Sequence, residues 1–182
     1  MLRTFRQRIP EKRNIATVFA VAMFLVYTWT LFTSFWKLPS WLFFLEVGDI
    51  LSIYSYAFLV NFIESVMLVC LVLLPGLVLP RRWWLDTFVS RGFVFILVLL
   101  GSALLHLTLY RTPDTRDLFV YGQFGWWVGT GIAAVFLTWI AGKAAWICRA
   151  LESTAERFLI FMYVYLPLTI FAILFVIARI LL

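Results

Sequence analysis

A chain of 182 residues that is 64% hydrophobic and 13% charged, with a mean hydropathy of +1.00, holds far less charge than a soluble domain, where roughly 25% of residues are charged. A water-soluble fold does not fit it, because apolar runs near or beyond the ~18 residues that mark a membrane-crossing helix recur along its length. The net charge of +6 then reads as membrane topology and not as a nucleic-acid surface, since the basic residues fall between the apolar runs.

The basic N-terminal stretch leads into "IATVFAVAMFLVYTWTLFTSFW", residues 15–36. That run is too long for the core of a signal peptide and has no small-residue cleavage site, so it is expected to be retained as a first spanning helix ending before Pro39. "LPSWLFFLEVGD" is aromatic but too short to span, and is expected to lie in the interface, with Asp49 as the N-cap of the second helix. Residues 50–79 are apolar for about 45 Å of helix, longer than the hydrocarbon core, which calls for tilt, protrusion or a kink at Pro75.

Three more runs complete the chain, at about 92–110, 125–146 and 157–181. Trp126 and Trp127 stand at the entrance of the fourth and Trp146 at its exit, as interfacial aromatics do. The expected fold is therefore all-α: a polytopic helical bundle with five transmembrane helices in a single domain over residues 1–182. Basic residues alternate between ends. Arg3, Arg6, Arg8, Lys12, Arg13, Arg81, Arg82, Arg91, Lys143, Arg149 and Arg157 fall on one side, and Lys37, Arg111, Arg116 and Arg179 on the other. By the positive-inside rule the N-terminus is cytoplasmic and the C-terminus outside, in a cell (inner) membrane.

Chemistry-bearing residues are few. Glu64 sits in the second run, where a carboxylate costs several kcal/mol unless it faces other helices, is protonated or finds a donor. With Tyr54, Ala57 and Asn61 it is spaced to share one helix face. The only His, His106, lies near the outer end of the third run, with Ser102 one turn before it and able to hydrogen-bond the imidazole. If the second helix protrudes outward, Glu64 and His106 meet, forming a proton or substrate site with Asn61, Ser102, Arg111 and Arg116. The bland alternative is interhelical polar glue, and a solvated turn for "RTPDTRD" with Asp114 or Asp117 as cap. Gly125, Gly129 and Ala133 recur every fourth residue, the spacing of a close helix contact, internal by default.

Cys70 and Cys148 have neither metal-site nor disulfide spacing, and no phosphate loop, dinucleotide fingerprint or zinc motif occurs. No catalytic residue, metal or other cofactor is assigned. The leading expectation is a scaffold or accessory subunit of a membrane complex, its partners being lipids and other membrane subunits or further copies of itself. The alternatives are a proton-coupled transporter or channel component using Glu64 and His106, and an intramembrane enzyme using the same pair as acid and base.

Overall fold

The computed structural model describes residues 10–78, 84–109 and 116–181, with backbone alone for 77–78 and 116–121. Five helices run through them: α1 (Lys12–Phe44), α2 (Val47–Val78), α3 (Phe88–Leu109), α4 (Arg116–Lys143) and α5 (Ala145–Leu181). Each contains a segment long and apolar enough to cross a membrane.

The helices are longer than the sequence pattern suggests. α1 passes through Pro39 and ends at Phe44, because a proline deletes one backbone bond and the turns on either side hold the rest. Its stop is Leu45, extended at φ −120° and ψ 147°, whose N–H donates to the Trp41 carbonyl. The expected interfacial segment is thus divided between the end of α1 and the start of α2. Nor is Asp49 an N-cap: it lies inside the first turn of α2, and the Glu46 carbonyl accepts from the N–H groups of Asp49 and Ile50. An acid there still favours the positive end of the helix dipole.

At the other junction the chain leaves helix only at Ala144. α5 therefore starts at Ala145, some three turns ahead of the expected start at 157, since "AWICRALESTAERF" is rich in helix formers and free of Gly and Pro. α4 likewise begins at Arg116 and not 125.

The chain gathers into two compact units. The first comprises Glu11–Leu71 and Ala155–Leu182, and so holds α1, most of α2 and most of α5. Two ion pairs mark its helix directions: Arg13 Nη2 meets Glu156 Oε1 at 2.8 Å, and Arg179 Nη2 meets Asp49 Oδ1 at 3.2 Å. α1 and the part of α5 in this unit therefore run parallel, while α2 returns antiparallel. Both pairs are exposed, at opposite ends of this unit, where they fix register more than they add stability.

Between those ends lies an aromatic core. Met23, Tyr27 and Tyr165 are buried, with Phe24, Phe58 and Phe161 packed around them. The Tyr27 ring stacks on Tyr165 with centroids 4.7 Å apart, and Phe24 stacks on Phe158 at 4.2 Å. The Tyr27 hydroxyl donates to the Phe58 carbonyl at 3.0 Å and shares a hydrogen bond with the Thr169 hydroxyl, which itself donates to the Tyr165 carbonyl at 2.8 Å, so one side chain ties all three helices.

The second unit takes in Val72–Thr154: the last turns of α2, then α3, α4 and the first turns of α5. Trp84 is buried, donates its indole N–H to the Val72 carbonyl at 3.0 Å, and lies over Gly76. A Cβ on Gly76 would stand 3.2 Å from Trp84 Cδ1, so the glycine is what lets the indole reach the backbone. Ser90 donates to Glu152 at 3.1 Å, and the Cys148 thiol to the Ala141 carbonyl at 3.0 Å.

Tyr27→Phe should lower unfolding stability in mild detergent by about 1–2 kcal/mol, the worth of interhelical hydrogen bonds at such sites. Tyr163→Phe, at a position 74% exposed, should leave the transition unmoved. Equal midpoints for the two variants would show that the Tyr27 hydroxyl does not tie the helices.

Candidate functional site

The polar groups of the first unit form a ladder along the α1–α2 seam. Positions 27, 30 and 34 of α1 recur at intervals of three and four, which keeps them on one helix face. Opposite them stand 58, 61 and 54 of α2. The Thr30 hydroxyl donates to Asn61 Oδ1 at 3.0 Å, and the Tyr54 hydroxyl donates to Ser34 Oγ at 3.1 Å. Asn61 is buried, and its Nδ2 has no hydrogen-bond partner among the described residues.

Beyond Ser34 the seam opens into a cavity of about 150 Å³ lined by Thr30, Thr33, Ser34, Lys37, Trp41 and Tyr54 among others. The hydroxyl hydrogens of its wall are committed: Thr33 donates to the Trp29 and Thr30 carbonyls and Ser34 to that of Leu31. The wall therefore offers acceptor oxygens, and Lys37 brings the only cationic donor among the lining residues.

Glu64 does not join this ladder. It is exposed, beside Val60, Ile63 and Met67, which are 51%, 50% and 64% exposed, and within its unit no described donor hydrogen-bonds or ion-pairs with its carboxylate. The geometry of an α-helix explains the departure. Steps of three, four and three residues from Tyr54 to Glu64 total about 1000° at ~100° per residue, which leaves Glu64 some 80° off the Tyr54 line. Tyr54 and Asn61 thus stand about 20° apart on one face, half-buried Ala57 lies at its edge about 60° from Tyr54, and exposed Glu64 lies about 20° beyond Ala57. Along α2, Glu64 stands about 22 Å from Asp49, at 1.5 Å per residue. It is nearer in depth to the Arg13–Glu156 end of its unit than to the Asp49–Arg179 end. With α2 as a span, such a carboxylate costs about 2.5–3.5 kcal/mol on insertion scales.

His106 belongs to the second unit. It is buried, with its ring centroid 4.9 Å from that of Trp126 and 6.4 Å from that of Trp127. Ser102 is occupied elsewhere. The Trp126 indole donates to Ser102 Oγ at 2.9 Å; Ser102 and Thr130 share a hydrogen bond; and the Thr130 hydroxyl donates to the Trp126 carbonyl at 2.9 Å. Because Thr130 spends its hydrogen on Trp126, Ser102 is the donor to Thr130. The three residues form a closed circuit between α3 and α4, in which each bond polarises the next. In the sequence Thr130 stands out only as a neighbour of the glycines, and Trp126 only as an interfacial ring. The signal for both is the register that puts 126 and 130 one turn apart facing Ser102.

Arg111 and Asp114 lie outside the described residues, and Arg116 and Asp117 open α4 with side chains that are likewise outside them. Gly125 and Gly129 are exposed, with nothing within 4 Å of where a Cβ would be, and Ala133 is half-buried. The expected internal contact is absent among the described residues. The close approaches occur at Gly76, under Trp84, and at Gly142, where the Arg91 guanidinium lies directly on the glycine and a Cβ would sit 2.6 Å from its Cζ. Beside the exposed glycines, Val128, Gly131, Ile132, Val135, Phe136 and Trp139 line an open groove of about 630 Å³ with almost wholly apolar walls.

Ser102→Ala and Thr130→Val, taken singly and together in a double-mutant cycle, should show a coupling of about 0.5–2 kcal/mol in unfolding free energy, as residues of one network do. Additive effects would mean that no circuit exists. Gly142→Ala must swing aside the guanidinium at the end of the flexible Arg91 side chain and should cost under about 1 kcal/mol, whereas Gly125→Ala should leave stability unchanged or slightly raised; an unfolding series in one detergent compares them.

Compared with known proteins, the chain matches no family model, no curated protein and no solved structure.

Proposed function

We propose that this chain is a small multi-pass protein of the cell (inner) membrane, N-terminus in the cytoplasm and C-terminus outside, that serves as a scaffold or accessory subunit through lateral helix–helix contacts. The observation that carries the reading is the face of α4: Gly125 and Gly129 are open to their surroundings and adjoin the apolar groove of Val128, Ile132, Val135 and Phe136. Between lipid-embedded helices, attraction comes from close backbone approach and not from hydrophobic burial, and a small-residue face is how such an approach is made. The groove next to it receives side chains of the helix that approaches. The orientation rests on the distribution of Lys and Arg.

A transport reading keeps one supporting observation, the acid of Glu64 at membrane depth, where ionisable groups often mark proton pathways. On that reading Glu64→Gln abolishes flux in proteoliposomes while leaving the unfolding transition in place. On the scaffold reading no flux depends on it.

The accessory role is tested with a photoreactive residue at position 129 in native membranes. A discrete adduct with another membrane protein is expected. Gly129→Leu should cut recovery of that same protein about tenfold, equivalent to the ~1.4 kcal/mol that a good packing or polar contact between membrane helices provides. Uniform lipid labelling, with no protein adduct at 125, 129 or 132, would refute the role.

A further inference from the structure

We propose that the outward face of α2 around Glu64 seats a transmembrane helix of a different protein, one that carries a lysine or arginine at matching depth. The inference rests on the reading that the chain works by lateral helix contacts, and it draws on a separate helix and separate residues.

Ile53, Val60, Ile63, Met67, Leu71 and Leu74 are all exposed. At ~100° per residue they fall within a band about 80° wide along more than 30 Å of helix. Their intervals are made of threes and fours, the spacing of a seam that packs against a second helix in a left-handed pair. Glu64 lies only about 20° from the line through Ile53 and Leu71, hence on the margin of this seam and roughly midway along it. Its carboxylate is exposed, and no described donor within its unit reaches it.

An unpaired carboxylate on an apolar helix surface selects its partner by charge. In a membrane the alternatives to pairing are protonation or water penetration, so a cationic side chain at the same depth gains both the Coulomb attraction and the avoided desolvation. A second copy of this chain does not supply that cation. The cores of its five apolar runs contain no Lys or Arg, and a symmetric parallel pair through this seam would set one Glu64 against the other, where like charges repel. The occupant is therefore a helix from another protein with a basic residue inside its span.

The full-length protein is reconstituted in phosphatidylcholine vesicles with labelled synthetic Leu/Ala helices carrying Lys, Leu or Glu at the central position, and association is read by resonance energy transfer. The Lys helix should bind about three- to thirtyfold more tightly than the Leu helix, the range spanned by polar contacts between membrane helices, and the Glu helix no better than the Leu helix. Glu64→Leu should abolish the preference with an unchanged unfolding transition, because the side chain is exposed. Equal binding of Lys and Leu helices, or a preference that survives Glu64→Leu, overturns the proposal. So does Glu64-dependent self-association that displaces the Lys helix, which would make a second copy the occupant. A position-129 adduct in native membranes without any Lys preference removes this inference and leaves the accessory role standing. A Lys preference without that adduct does the reverse.

Discussion

A hydroxyl, indole or amide that leaves water for hydrocarbon has to find its partner inside the protein, and both units are organised by that demand. In the first, one tyrosine hydroxyl meets two helices at once: Tyr27 donates to the Phe58 carbonyl and shares a hydrogen bond with Thr169. In the second, Trp126, Ser102 and Thr130 pass a donor around a closed ring. Neither arrangement leaves a proton free for chemistry. Other serines and threonines along the helices also spend their hydrogens locally, on carbonyls three or four residues back, as Ser52, Ser55, Ser65 and Thr138 do. A polar residue in an apolar run is thus first a matter of satisfaction, and only what is left over is available for function.

The remainder in the first unit is small and has a position. Its ion pairs mark the two ends, and the distance along α5 from Glu156 to Arg179 is about 35 Å at 1.5 Å per residue, close to a hydrocarbon core with its margins. Tyr27 and Thr169 lie near the middle of that length, so this tie is made about midway between the two ion pairs. Asn61 and Glu64 fall one turn apart at similar depth, yet they meet different surroundings: Asn61 is buried against Thr30, and Glu64 is exposed among aliphatic side chains.

Much of this was legible from the residues. Five apolar stretches of sufficient length dictate five long helices whatever their packing, and Tyr54 and Asn61 share a face as their spacing implies. Helix ends were not legible, because the usual punctuation carries less force when the helix is held by its surroundings. Pro39 removes one bond and α1 continues, while the true break at Ala144 has no Pro or Gly at its own position and comes after Gly142 and Lys143. The glycines illustrate a second limit. Spacing drew attention to Gly125 and Gly129, where a side chain would meet nothing, whereas Gly76 and Gly142, each alone in its stretch, are the ones that Trp84 and Arg91 approach. A close approach is made by two partners, and a one-dimensional pattern shows only one of them.

Glu64 shows how angular position on a helix decides what a side chain does. At ~100° per residue it stands some 80° from Tyr54 and 60° from Asn61, close to the surface that Ile53 and Leu71 occupy. On the inner face an acid would have had a threonine hydroxyl to accept from, as Asn61 Oδ1 does. On the outer face it has no such described donor to pair with in its own unit, and the energy that its burial in lipid costs becomes energy available to whatever brings it a donor. The same arithmetic that separates the two residues therefore separates their surroundings: Asn61 accepts from Thr30 across the α1–α2 seam, and Glu64 stands on an exposed apolar face with no described donor in its own unit.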